Sequence, residues 1–178
     1  GYYKMERETA EALRDGWFHT GDIGKLDSDG FLTIVDRKKD LLKTSGGKYI
    51  APQPIENRLR GNPYIADAVV IADQRRFPSA LIVPNFAELE KWAKEQGITY
   101  NSTAELARQP QVVELIEQQV RGVCGGLSQY EQIKKVTVLE HEFSIEAGEI
   151  TPTMKVRRRE VERRYGEVIE KMYVEEAV

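Results

Sequence analysis

Hydrophobic positions change period several times along this 178-residue chain, and each change predicts a new element. Over residues 6–14, Ala10, Ala12 and Leu13 sit among charges, a helical stretch that Asp15-Gly16 stops. Alternation then takes over. Residues 23–26 and 31–35 flank Asp27-Ser28-Asp29-Gly30, a strong turn signal, and predict a β-hairpin. Past it the charged run 36–40 interrupts the pattern, and residues 40–44 suggest a short strand before a Ser45-Gly46-Gly47-Lys48 loop. Within residues 52–60, Ile55 and Leu59 lie four apart with Glu56 and Arg60 outside, a short helix ended by Gly61-Asn62-Pro63.

Two unbroken apolar runs, 68–72 and 80–84, predict strands buried on both faces and joined by the charged turn 73–78. Phe86, Leu89, Trp92 and Ala93 mark an amphipathic helix that ends before Gly97. Asn101-Ser102-Thr103 opens a short helix through Arg108. Pro110 starts another, with Val112, Val113, Ile116, Val120 and Val123 on one face. Residues 136–139 form a further strand, and Val161, Tyr165, Val168, Ile169 and Met172 make a helical stripe to the end of the chain. The fold class is α+β. Residues 1–36 are a helix and β-hairpin too small to fold alone. Residues 37–178 are a small domain with a short, mostly antiparallel sheet of about three strands flanked by about four or five helices. The boundary falls in the charged run 36–40, short enough to be a hinge rather than a tether. Trp17, Phe18 and Trp92 are expected in the core.

Composition narrows the function classes. Hydrophobic content of 40% and charged content of 31% describe a soluble globular protein. A net charge of −3 and a pI near 5.6 give no global pull toward nucleic acid or anionic membrane, so any anion site must be local. Cys124 is alone, which excludes an internal disulfide and a cysteine metal cluster, and is expected to be a buried small hydrophobe. His19 and His141 lack metal-ligand spacing and an evident catalytic partner. No metal site is expected. Nothing approaches about 18 consecutive apolar residues, and a cytoplasmic setting is the default.

Three stretches could carry chemistry. In Thr20-Gly21-Asp22 the carboxylate could accept hydrogen bonds from a ribose diol, or cap local N–H groups. Arg37, Lys38 and Lys39 beside Asp36 and Asp40 could meet phosphate, or form a solvated strand end. In the same second stretch, Gly46 and Gly47 let backbone approach a ligand closely, although the spacing is not that of a P-loop. The third stretch runs from Gly148 to Lys155 and into Arg157-Arg158-Arg159. Cations at a helix start oppose its dipole by about 0.3–1 kcal/mol, so they are either solvated or matched to an anion. Lys155, on a loop stiffened by Pro152, can bring a point charge to a developing negative centre.

TGD at 20–22, DRKKD at 36–40, SGGK at 45–48 and TPTMK at 151–155, in this order, closely resemble acyl-CoA synthetases of the adenylate-forming, AMP-binding superfamily. The match is densest over residues 1–57, where such enzymes cross from a large N-terminal domain into a small mobile C-terminal domain. The phrasing of the last two motifs is similar to the long-chain fatty acid–CoA ligase branch. The resemblance implies that Asp22 holds the ribose hydroxyls and that Arg37 also contacts the nucleotide. It implies Lys39 at the hinge, and Gly46 and Gly47 lining the pantetheine channel of CoA in a second conformation. Lys155 would stabilise the α-phosphate and carboxylate during adenylation.

The implied reaction takes fatty acid, ATP and CoA to acyl-CoA, AMP and pyrophosphate through an acyl-adenylate, with Mg2+ in the full-length enzyme. Two residues depart from many relatives: Pro54 stands where they have Glu, and Met154 where they have Gly. The phosphate loop, acyl tunnel and most of the adenine pocket belong upstream, so residues 1–36 read as the end of the large domain and the chain as a C-terminal fragment. Its main partner would be its own N-terminal domain, and the full-length enzyme could associate peripherally with membranes. One alternative is a ligase for another carboxylic acid or acceptor. Another is a stand-alone anion- or nucleic-acid-binding module around residues 157–164, against which balanced charge and an expected lack of exposed aromatics argue. The isolated chain is expected to be inactive: ATP–pyrophosphate exchange should stay at the no-enzyme background, and measurable exchange would refute this.

Overall fold

The structure, a computed structural model, describes residues 1–174. The chain divides into two compact units, residues 1–41 and 42–178. The division therefore follows Leu41, just beyond the charged run.

Local turn chemistry shapes the first unit. Helix α1 (Glu6–Ala12) is two residues shorter than its sequence pattern. Asp15 and Gly16, at φ of 54° and 78°, make a two-residue turn that draws Leu13–Arg14 (β1) into antiparallel pairing with Trp17–Phe18 (β2). The predicted hairpin forms from β3 (Asp22–Leu26) and β4 (Leu32–Arg37), with a register shift at Ile23/Gly24. Its turn is held by the Asp27 carboxylate, which accepts from the backbone N–H groups of Asp29 and Phe31. A 3-10 turn, Lys38–Asp40, closes the unit in place of the start of a strand.

Trp17 and Phe18, expected in the core, are 74% and 59% exposed, and Tyr3 and Phe31 are exposed as well. Exposed aromatics are thus present, contrary to expectation. A single layer of hairpins and one short helix has no second layer inside the unit to cover them.

In the second unit, β5 (Leu42–Lys43) and β6 (Tyr49–Ile50) form a two-stranded ribbon that leads into α2 (Pro52–Arg60). The sheet follows. β7 (Ile65–Ile71) pairs antiparallel with β8 (Ser79–Pro84), and β8 pairs in parallel with β9 (Lys135–Val138). The parallel pair requires a long crossover, supplied by α3 (Phe86–Glu95), α4 (Thr103–Arg108) and α5 (Pro110–Cys124). Asn85 and Ser102 cap α3 and α4, and Pro110 opens α5.

Alternate strand residues point to opposite faces, and each face has its own core. Ala68, Val70, Ala80 and Ile82 pack with Ile55, Leu59, Leu89, Ile116 and Val120 from the preceding helices. Val69, Ile71, Leu81 and Val83 pack with Phe143 and with Val161, Ile169 and Met172. The last three come from α6 (Arg158–Arg164) and α7 (Gly166–Val174), which share the predicted final stripe but break at Tyr165-Gly166. The stripe's expected continuation over 175–178 lies outside the described residues. Trp92 is half-buried against the first core. Cys124 is buried there, and burial pushes its thiol pKa up.

Glu56 corrects its predicted placement on the outer side of α2: it is buried. Its carboxylate accepts from the Val70 N–H at 2.8 Å, and Arg158 donates both to that carboxylate and to the Val70 carbonyl. β7 is an edge strand, so the pair satisfies both outward backbone groups of residue 70. Arg158 is therefore spoken for by a protein carboxylate, neither a solvated cation nor a free phosphate ligand. Removing it leaves a buried charge unmatched. Arg158→Ala should cost about 3 kcal/mol and lower Tm by roughly 10 °C, measured by thermal unfolding. A shift under about 2 °C would show that water replaces the guanidinium without penalty.

Candidate functional site

Asp22 begins β3 and Arg37 ends β4, and the hairpin register makes them cross-strand partners. Arg37 Nε lies 3.3 Å from Asp22 Oδ1. Gly21, at φ of 77°, turns the chain so that its carbonyl accepts from the Lys38 N–H, while the Thr20 hydroxyl accepts from the Asp22 N–H. Buried Asp36 accepts from the backbone N–H of Arg37. An exposed pair of this kind is worth at most about 1 kcal/mol, so a ligand can recruit both groups at little cost. Together they offer carboxylate acceptors and a guanidinium fork side by side, the complement of a ribose diol next to a phosphate. Lys39 is exposed in the following 3-10 turn.

The glycine loop of the second unit is held from both sides. Thr44, unmarked in the sequence reading, is buried at its base: its backbone N–H donates to the Lys48 carbonyl, and its hydroxyl accepts from the Lys48 N–H. Gly47 donates back to the Thr44 carbonyl. On the outer side Ser45 N–H donates to the Arg75 carbonyl, Gln74 N–H to the Lys43 carbonyl and Lys43 N–H to the Asp73 carboxylate. Arg75 is fixed in turn by an ion pair with Glu170 and by lying 4.8 Å over the Tyr173 ring. The tip is bare. Gly47 has a φ of 77° and open space where a Cβ would be, and Gly46 has only Thr44 Oγ1 at 3.9 Å.

Lys155 sits on a tight hairpin. Ile150 and Val156 bridge, Thr151 N–H donates to the Lys155 carbonyl, and Met154 N–H donates to the Thr151 carbonyl. Thr151 Oγ1 accepts from the Lys155 N–H at 3.0 Å. Met154 has a φ of 60°, the left-handed region where glycine is favoured. Lys155 itself is exposed.

The root of that hairpin holds a residue that pattern reasoning passed over. Glu149 is 0% exposed, and its carboxylate accepts from the Ser144 N–H at 3.0 Å, the Tyr165 hydroxyl at 2.8 Å and Arg164 Nε at 3.3 Å. Burial first, and the adjoining Glu149 carboxylate second, push the Tyr165 pKa up and keep it a donor. One acid in a loop stretch gave no periodic signal. His141 is exposed with its Nε2 3.4 Å from the Tyr165 oxygen.

Asp22 and Arg37 are thus brought together, while Gly46-Gly47 and Lys155 lie on separate loops with separate anchors. A cleft of about 570 Å3 in the second unit is lined by Arg121, Lys134, Lys171 and Met172 and by none of these residues. Among the described residues no group of three His, Cys, Asp or Glu side chains could hold a metal ion. No described helix is long and apolar enough to cross a membrane.

A family model described as AMP-binding enzyme C-terminal domain matches residues 39–177. The chain is 41% identical over 177 residues to the long-chain-fatty-acid–CoA ligase FadD15 of Mycobacterium tuberculosis, covering 99% of this chain and 30% of that protein. It is 41% identical over 177 residues to long-chain-fatty-acid–CoA ligase 1 of Homo sapiens, covering 97% and 25%. The chain therefore spans less than a third of these relatives. Among solved structures, the A domain of a carboxylic acid reductase from Segniliparus rugosus, in complex with AMP and a co-purified carboxylic acid, superposes with a TM-score of 0.77. The two share 27% identity over 99% of this chain and 26% of that one.

The Met154 backbone makes its own prediction. Met154→Gly should leave stability unchanged within about 1 kcal/mol, whereas Met154→Val should destabilise by more than about 1 kcal/mol, because a β-branched residue resists positive φ. Chemical denaturation checks both, and equal midpoints for the two variants would contradict the assignment.

Proposed function

Because the chain belongs to the AMP-binding enzyme C-terminal domain family, we propose that it is the C-terminal part of a cytoplasmic long-chain fatty acid–CoA ligase. The observation that carries this is an exposed lysine beside the turn of a hairpin whose root is held by a buried carboxylate. The 41% identity to two long-chain-fatty-acid–CoA ligases supports the acid and the acceptor, against 27% to the reductase domain.

In the first half-reaction a fatty carboxylate oxygen attacks the α-phosphorus of ATP and pyrophosphate leaves. Asp22 accepts from the ribose hydroxyls and Arg37 donates to the nucleotide. Lys155 meets the negative charge that gathers on the α-phosphate oxygens, an effect largest in a site that excludes water. In the second half-reaction the CoA thiolate attacks the acyl carbonyl and AMP leaves. Gly46 and Gly47 then line the path of the pantetheine arm, where a side chain would obstruct it. Using different residues in the two steps calls for a rotation of one unit against the other about residues 36–40 with Lys39 at the pivot. The division of the chain after Leu41 is in keeping with this. Mg2+ would accompany ATP, but the described residues offer no metal cluster, so no step is assigned to it. The N-terminal domain would supply the rest of the site and any peripheral membrane contact.

A nucleic-acid-binding role for residues 157–164 is disfavoured by the pairing of Arg158 with Glu56, Arg163 with Glu160 and Arg164 with Glu149. In the full-length enzyme, Lys155→Ala should slow ATP–pyrophosphate exchange about 10²–10³-fold while leaving thioester formation from supplied acyl-adenylate within about threefold. Gly47→Leu should show the reverse bias. Equal loss of both half-reactions in either variant would count against the role given to that residue.

A further inference from the structure

The direction in which Lys155 projects is set by its hairpin, and the hairpin cannot set it unaided. It has a single bridged pair, Ile150 with Val156, and a ribbon that short has little stability of its own. Its orientation comes from its base, where Ile150 and Val156 pack against the second core, and from the polar contacts at its root. There the Glu149 carbonyl accepts from the Arg157 N–H at 2.7 Å, and the Glu149 N–H donates to the Ser144 carbonyl at 3.1 Å. The side chain joins the same root to the rest of the unit. One carboxylate oxygen takes the Ser144 N–H, on the chain leading in, and the other takes Arg164 Nε and the Tyr165 hydroxyl, at the junction of α6 and α7. All three partners are donors, and the carboxylate they meet is fully buried.

We propose that Glu149 is a positioning residue for the adenylation half-reaction, holding the Lys155 hairpin at its working angle through Ser144, Arg164 and Tyr165. This rests on the role proposed for Lys155. A glutamine of the same shape would serve less well. Its amide presents one acceptor oxygen and an NH2 group, so at least one of the three donors would face another donor. The hairpin would then sample angles that displace the ammonium, and a misplacement near 1 Å can cost about 10²-fold in rate.

The test uses the full-length enzyme with Glu149→Gln, the milder Tyr165→Phe, and Lys155→Ala as reference. Each is assayed for ATP–pyrophosphate exchange and for thioester formation from synthetic acyl-adenylate and CoA, with thermal unfolding followed alongside. Glu149→Gln should lower kcat for exchange about 10–100-fold with the KM for ATP within about threefold, and leave thioester formation within about threefold. Tyr165→Phe should show the same bias more weakly. If both half-reactions fall in parallel with the folded fraction, or if neither variant slows exchange while Lys155→Ala does, Glu149 has no positioning role. If Lys155→Ala itself leaves exchange intact, the role of Lys155 fails and this inference with it. Should Glu149→Gln not fold, Tyr165→Phe decides the outcome alone.

Discussion

Covering a three-stranded sheet on both faces is the constraint from which the second unit follows. Val70, Ala80 and Ile82 serve one core while Val69, Leu81 and Val83 serve the other, so the central positions of β7 and β8 are taken by apolar side chains. The polar candidates are displaced to loops at the sheet's margins: Gly46-Gly47 beside the turn that follows β7, and Lys155 on the hairpin before α6. The helices that cover the second face also hold both loops. Arg164 and Tyr165 anchor the lysine hairpin, and Glu170 and Tyr173 anchor Arg75, whose carbonyl holds Ser45. Packing and site presentation are the work of the same helices.

Periodicity made most of this legible. The unbroken runs near 68–72 and 80–84 become strands buried on both faces, and helix α2 occupies the predicted 52–60. The misses have separate causes. Glu56 stands one position from Ile55, and helical spacing alone placed it outside. Tertiary partners, Val70 and Arg158, bring it in. Trp17 and Phe18 looked like core because large aromatics usually are, yet a one-layer unit cannot cover them. Gly166 broke a stripe whose apolar spacing continued across it.

The site was legible in its motifs and illegible in its supports. Asp22, Arg37, Gly46, Gly47 and Lys155 stand in recognisable strings, whereas Thr44 and Glu149 act through contacts distant from any motif pattern. Neither hydroxyl capping nor a buried carboxylate leaves a periodic trace. Met154 is the intermediate case. Its departure from glycine was visible in the string, but its reason, a left-handed backbone, required the fold.

The outer margin of β7 has a consequence for the molecule's behaviour in a crowded solution. An edge strand invites the backbone of another chain to continue the sheet, the first step toward sticking and fibrils. At residue 70 both inviting groups are already occupied, one by a carboxylate and the other by a guanidinium. Any strand that tried to dock there would have to displace a matched pair of charges and bury them without replacement. Glu56 and Arg158 thereby leave residue 70 with no free backbone group for another strand to take.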